Sequence, residues 1–144
     1  GEERFDRAFR EYIDRWAFKH PQPADFFRTM EDVAGMDLAW FWRGWFYSTA
    51  TLDQAVVRVE HDQEDDWVYV DLENRRDMVM PVTIEVEYDD GQVEQRGLPV
   101  DIWTTTNAWT VGWNPNGRKV VRVKLDPKGM LPDMDESNNE WKAE

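Results

Sequence analysis

Within a predicted strand at 78–88, the apolar side chains from Val82 to Tyr88 fall on every second position. Met80, Val82, Ile84, Val86 and Tyr88 share one parity, and Thr83, Glu85 and Glu87 share the other. A period of two belongs to a strand with one buried and one wet face, because successive side chains of a strand point to opposite sides. Asp89-Asp90-Gly91 follows, and Asp-Gly is a strong hairpin turn signal. The same reading finds a strand at 55–60, with Ala55, Val57 and Val59 opposite Val56, Arg58 and Glu60, and another at 67–72 with Val68, Val70 and Leu72 on one face. Further strands are predicted at 92–98, 100–104, 108–113 and 119–125, with Asn114-Pro115-Asn116-Gly117 as a turn between the last two. About seven short strands separated by turn signals predict an antiparallel β-sandwich of the immunoglobulin-like kind, with a closed barrel as the alternative. The tail from Asp126 onward, rich in Pro, Gly, Asp and Asn, reads as irregular.

The first 52 residues obey a different period. All seven Phe lie there, at positions 5, 9, 18, 26, 27, 41 and 46, whereas Val is concentrated in the rest of the chain. Phe5, Ala8, Phe9, Tyr12, Ile13 and Trp16 follow the spacing of one buried helix face. His20-Pro21-Gln22-Pro23 ends that helix, and Pro23 suits the first turn of the next. The second helix carries Phe26, Phe27, Met30 and Val33 and stops at Gly35 as a left-handed cap. Asp37 is the predicted N-cap of a third helix, in which Leu38, Phe41, Trp42, Trp45 and Phe46 form a wide apolar stripe. A helix so aromatic is expected to be buried on more than one side, with an exposed aromatic patch as the alternative. The expected fold class is therefore α+β: about three helices over 1–52, then the sandwich with its acidic tail over 53–144.

Charge and composition exclude several functions. The chain has 144 residues, a net charge of −13, no Cys and two His. Residues 1–52 hold 9 acidic and 7 basic groups, and residues 53–144 hold 21 and 10. Such a polyanion lacks the clustered Lys and Arg that nucleic-acid binding needs. No disulfide framework or Cys-ligated zinc is possible, and His20 and His61 are too far apart in sequence for a helical H-E-x-x-H pair. No apolar run reaches the length of a membrane span. The charged start Gly1-Glu2-Glu3 has no secretory-signal character, and a leading Gly without Met suggests either an expression scar or a trimmed fragment. G-x-S-x-G, P-loop and Gly-rich dinucleotide motifs are absent.

Three constellations compete with ordinary structural roles. His61-Asp62-Gln63-Glu64-Asp65-Asp66 offers oxygen ligands for a divalent cation, but reads first as a solvated hairpin loop. Asp133-Met134-Asp135-Glu136-Ser137-Asn138-Asn139 has the D-x-D start of a calcium loop but lacks the Gly and Glu of an EF-hand, and reads first as side-chain turns. Trp103, Trp109 and Trp113 would stack on sugars if exposed; the alternation of Trp109, Val111 and Trp113 instead predicts that they point into the sandwich. None of these yields a catalytic, cofactor-binding or metal residue.

The run Ala24–Leu38, reading P-x-D-F-F-x-x-M-E from Pro23 and G-x-D-L-x-W-F-W-x-x-W-F from Gly35, continues into Trp40–Tyr47. It resembles the segment downstream of the zinc site in aminopeptidase N-like metallopeptidases, the gluzincins. Leu52-Asp53-Gln54-Ala55-Val56 is similar to the entry of that family's β-sandwich. Residues 74–91, with Met80-Pro81-Val82 and Asp90-Gly91, are similar to the sandwich of its bacterial members. The resemblance covers most of the chain and implies a C-terminal fragment of a zinc aminopeptidase, a hydrolase; the alternative is a stand-alone β-sandwich binding module or adaptor recognising carbohydrate or protein through aromatic residues. On the fragment reading the helices close a thermolysin-like catalytic domain and the sandwich follows. The family's H-E-x-x-H and downstream Glu are missing here, so the resemblance implies that zinc, catalysis and peptide substrate belong to the upstream part of the parent. No metal or catalytic residue carries over, Tyr12 and Tyr47 included. The implied partner is the upstream catalytic domain of the same chain. Self-association through the aromatic helical face is expected when that partner is missing, since 13 aromatic residues in the first 52 exceed what three helices can cover. Family members of this bacterial type are often exported, which gives the expected location.

Overall fold

The computed structural model describes residues 1–143. The chain divides into two compact units, Gly1–Ser48 and Thr49–Glu144. The composition shift puts the boundary at 52/53. The structural division falls earlier because Leu52 and Asp53 are tied into the second unit: Leu52 bridges Asp133, Met134 N–H donates to the Leu52 carbonyl, and Arg75 N–H donates to the Asp53 carbonyl.

The first unit holds α1 (Glu2–Trp16), α2 (Pro23–Ala34) and α3 (Ala39–Phe46). Pro23 opens α2, and the Asp25 carboxylate accepts from the Gln22 N–H at 2.8 Å. Gly35 closes α2 in the left-handed region at φ 64°, returning its N–H to Glu31. Asp37 caps α3 from one position further out than predicted: its Oδ1 takes the Ala39 N–H at 2.7 Å, and Leu38 occupies the cap position. Glu31 supports the same helix start. Its Oε1 accepts from both Leu38 N–H and Trp42 Nε1–H, each at 3.1 Å. The core of this unit is small: Ala8, Phe27, Met30 and Trp42, with Phe26, Val33, Leu38 and Phe41 against it.

Two burial expectations fail here. Of the predicted buried face of α1, Ala8 alone is fully buried, while Phe5, Phe9 and Ile13 are exposed. On α3 only Trp42 is buried, and Trp45, Phe46 and the following Tyr47 are exposed. Three short helices enclose one small core, and nothing in the unit forms a second layer over the remaining rings.

The second unit has seven strands: β1 (Gln54–Asp62), β2 (Trp67–Asn74), β3 (Val82–Tyr88), β4 (Val93–Leu98), β5 (Ala108–Trp113), β6 (Val120–Leu125) and β7 (Glu140–Lys142). They form an antiparallel sheet of order β1-β2-β5 and another of order β4-β3-β6-β7. Val68, Val70 and Leu72 of the first sheet share one core with Val82, Ile84, Val86, Val123 and Leu125 of the second, which is the predicted α+β sandwich. Each such side chain contributes roughly 1.5–3 kcal/mol through burial.

Four details depart from the sequence reading. The ladder of β3 begins at Val82, because Pro81 has no N–H to give. Residues 100–103 form a 3₁₀ turn, not a strand, following Pro99. The tail is not wholly irregular, since β7 pairs with β6 through Arg122, Val123 and Lys124. The register of β1 slips between Val56 and Arg58, so Val57 is a bulge residue turned to solvent. Val56 and Val59 therefore both meet the core, as neighbours of Leu72 and Val70.

Candidate functional site

The most organised polar constellation lies where β4 edges the sandwich. Glu94 and Arg96 pair with Val86 and Ile84 of β3 and so have the parity of inward-facing residues. The Glu94 carboxylate accepts from Arg118 Nη2 at 2.7 Å, Arg96 Nη2 at 2.9 Å and the Tyr88 hydroxyl at 3.2 Å. Tyr88 in turn accepts from Trp113 Nε1 at 3.0 Å. The two guanidiniums lie over rings, Arg96 at 4.6 Å from the centroid of Trp113 and Arg118 at 3.8 Å from that of Tyr88. Arg118, then Tyr88 and Arg96, hold the Glu94 carboxyl below its ordinary range, and Glu94 raises the Arg118 guanidinium. Here Glu94 is an acceptor ringed by donors, so its chemistry is that of a clasp and not of a proton-transfer group. Sequence reasoning missed this cluster. The signal was present in the charged pair Glu94 and Arg96 two residues apart, sharing one face of an edge strand.

The outer face of the three-stranded sheet carries a second ladder. Asp71 of β2 accepts from Thr110 of β5 at 2.6 Å and from Arg58 of β1 at 2.9 Å, and Arg58 also meets Glu60 at 3.0 Å. The Thr110 hydrogen bond, then Arg58, lowers the Asp71 carboxyl. Next to this ladder Trp67 and Tyr69 are stacked, with ring centroids 6.3 Å apart.

The constellations named from sequence resolve as follows. In the acidic turn, Asp62 Oδ1 accepts the Glu64 and Asp65 N–H groups, and Asp66 contacts His61 Nε2 at 3.3 Å and accepts the Gly117 N–H at 2.9 Å. In the tail, Asp133 accepts from Gln54 N–H and Asp135 N–H, while Asp135 accepts the Ser137 N–H and hydroxyl. Ser137 holds the Asp135 carboxyl low. Asn138 Nδ2 reaches the buried Asp53 at 2.9 Å. These carboxylates terminate backbone turns and lock the tail to the start of β1. Among the described residues no group of three His, Asp or Glu side chains is arranged to hold a metal ion. Trp103 is 6% exposed and donates to the Met80 carbonyl at 3.0 Å, so it offers no stacking face. Trp113 is buried as predicted, but Trp109 is 41% exposed, at the end of β5 beyond the sandwich core.

In the helical unit, rings touch in a continuous series. Phe5 stacks on Phe9 at 5.8 Å, Phe9 meets Tyr12, Tyr12 abuts Phe26 at 5.0 Å, and Phe26 meets Trp42 and Phe27. Phe27 in turn meets Phe46 at 5.3 Å and Tyr47 at 5.6 Å. The series begins on the exposed side of α1 and ends on the exposed end of α3. Its middle, Phe27 and Trp42, is buried, so the exposed rings lie at its two ends, Phe5 and Phe9 on α1 and Phe46 and Tyr47 at the end of α3.

No helix of the described residues is long and apolar enough to cross a membrane. No protein-family model and no curated protein matches the sequence. Among solved structures, the chain is similar to aminopeptidase A of Legionella pneumophila, crystallised in complex with aspartic acid, with a TM-score of 0.66 at 13% identity. The likeness takes in 92% of this chain but only 15% of that one. Helices followed by a two-sheet antiparallel unit are thus a fold that this chain shares with a small part of an aminopeptidase.

Proposed function

We propose that this chain is the non-catalytic C-terminal part of a larger zinc aminopeptidase of the gluzincin kind. Its helical unit completes the catalytic domain, and its sandwich supports that domain. The observation that carries the reading is the fold match, which spans nearly all of this chain and a small fraction of an aminopeptidase. The exposed rings of α1 and of the end of α3 support it, since Phe5, Phe9, Phe46 and Tyr47 remain uncovered within the unit.

A catalytic zinc requires three protein ligands, an open position and a general base. The residues present do not fit that group. The two histidines, His20 and His61, belong to different units, and His61 is engaged with Asp66. Zinc and peptide hydrolysis therefore belong, on this reading, to sequence upstream.

The test is an aminoacyl-anilide assay with added zinc, run on this chain and on the chain extended upstream in its natural reading frame. Turnover by the extended protein and none by this chain is the expected result. Zinc-dependent turnover by this chain alone overturns the reading.

A further inference from the structure

The outer face of the β1-β2-β5 sheet has two features that neither the sandwich core nor the proposed scaffold role uses. The first is a flat pair of rings. Trp67 and Tyr69 are each 39% exposed, and their planes lie within 25° of each other. A Cβ placed on Gly112 of β5 would stand 2.9 Å from Tyr69 Cδ1 and 3.4 Å from Trp67 Cε3. The glycine leaves room for both rings against the backbone of β5.

The second feature is charge. From residue 59 to residue 74 the chain carries Glu60, Asp62, Glu64, Asp65, Asp66, Asp71 and Glu73, with no Lys or Arg. Residues 106–117, which include β5, carry no charged side chain. Glu60 stands directly across β1 from Tyr69, and Asp62 across from Trp67. The cation bordering the rings, Arg58, is already engaged by Asp71 and Glu60.

We propose that this face docks a cationic extended peptide, with a Lys or Arg side chain lying over the Trp67 and Tyr69 rings and its charge beside Glu60 and Asp62. The face of an aromatic ring is the negative pole of its quadrupole and attracts a cation. The surrounding carboxylates steer a basic segment toward the rings and repel acidic or nucleic-acid partners. A neutral ligand such as a sugar would gain the stacking but nothing from the field, so charge complementarity selects the basic peptide.

The test titrates the full chain with a synthetic peptide of alternating Lys and Ser, an equally long peptide of alternating Glu and Ser, and a neutral glucan oligosaccharide. The Lys peptide binds with an affinity that falls as salt rises, and it shifts the indole N–H resonance of Trp67 in the unmodified protein. Trp67→Leu, which keeps apolar bulk but removes the ring, weakens binding about two- to fivefold, while Trp67→Phe retains most of it. Glu60→Gln weakens it with unfolding temperature unchanged. No binding of the Lys peptide, binding without a Trp67 shift, equal affinity in a folded Trp67→Leu, or preference for the oligosaccharide each overturns the proposal.

Discussion

Trp113 Nε1–H donates to the Tyr88 hydroxyl at 3.0 Å, joining β5 of one sheet to β3 of the other inside the sandwich. That phenol also donates to Glu94, so one oxygen couples both sheets to the edge strand β4. Tyr88→Phe leaves the buried Trp113 indole N–H without its partner and takes one of two donors from Glu94 Oε2, which Arg96 still holds. The expected loss is about 1–3 kcal/mol in urea unfolding. Unchanged stability would mean that this bond does not couple the sheets.

Acid should loosen the same edge. The Glu94 and Asp71 carboxyls sit below their ordinary values of 4.5 and 3.8 in the folded state. A group whose folded value is depressed binds more protons when unfolded, so its contribution is complete above the ordinary value and is lost as pH falls. Thermal midpoints should hold steady from neutral pH and drop below pH 4.5. Glu94→Gln should lower the neutral-pH midpoint and flatten that drop. Parallel curves for the two proteins would show that Glu94 takes no part.

Gly112→Ala tests the bed on which the outer rings rest. The new methyl group meets the Tyr69 ring at 2.9 Å, and the ring must swing away from β5. A cost of about 1–3 kcal/mol follows from such overpacking. The loss of ring-to-backbone contacts between Tyr69 and residue 112 in proton NMR is the direct readout.

In the helical unit, Glu31→Ala removes an acceptor shared by Leu38 N–H and Trp42 Nε1–H. A loss of about 1–3 kcal/mol is expected from those two bonds, one of them holding the start of α3. Glu31→Gln keeps one carbonyl acceptor and should lose less. The unfolding of the unit, followed by helical circular dichroism, separates the two variants.

The exposed rings of α1 and α3 should drive self-association when this chain is alone. Light scattering at rising concentration should show oligomers, and replacing Phe5, Phe9 and Phe46 by Ser should return the protein to a monomer. A monomer at all concentrations, with no binding of an apolar dye, contradicts the reading of these rings as a covered interface.

Strand content was legible wherever one face is wet, as in β3, where Ile84 and Val86 alternate with Glu85 and Glu87 and the period of two is unambiguous. It failed where local geometry broke the period. The bulge at Val57 is invisible in a run of three β-branched and apolar residues, and the turn at 100–103 has the composition of a strand. The tail hid β7 because it has three residues, with Trp141 alone turned to the core opposite Val123, too short a run to show a period. Helix positions were legible from Pro23 and Gly35, but burial was not. Periodicity in α1 marks an apolar face without saying whether this chain supplies the partner. The clasp around Glu94 escaped because it joins residues from β3, β4, β5 and the turn before β6, which only the fold brings together.

The central claim is that the chemistry lies upstream of this chain. It is tested most directly by reading the gene on the 5′ side of the codon for Gly1. The account predicts a continuous open frame encoding H-E-x-x-H and a downstream Glu, the ligands and base that this chain lacks. A start codon directly upstream, or a long upstream frame without that motif, would contradict it.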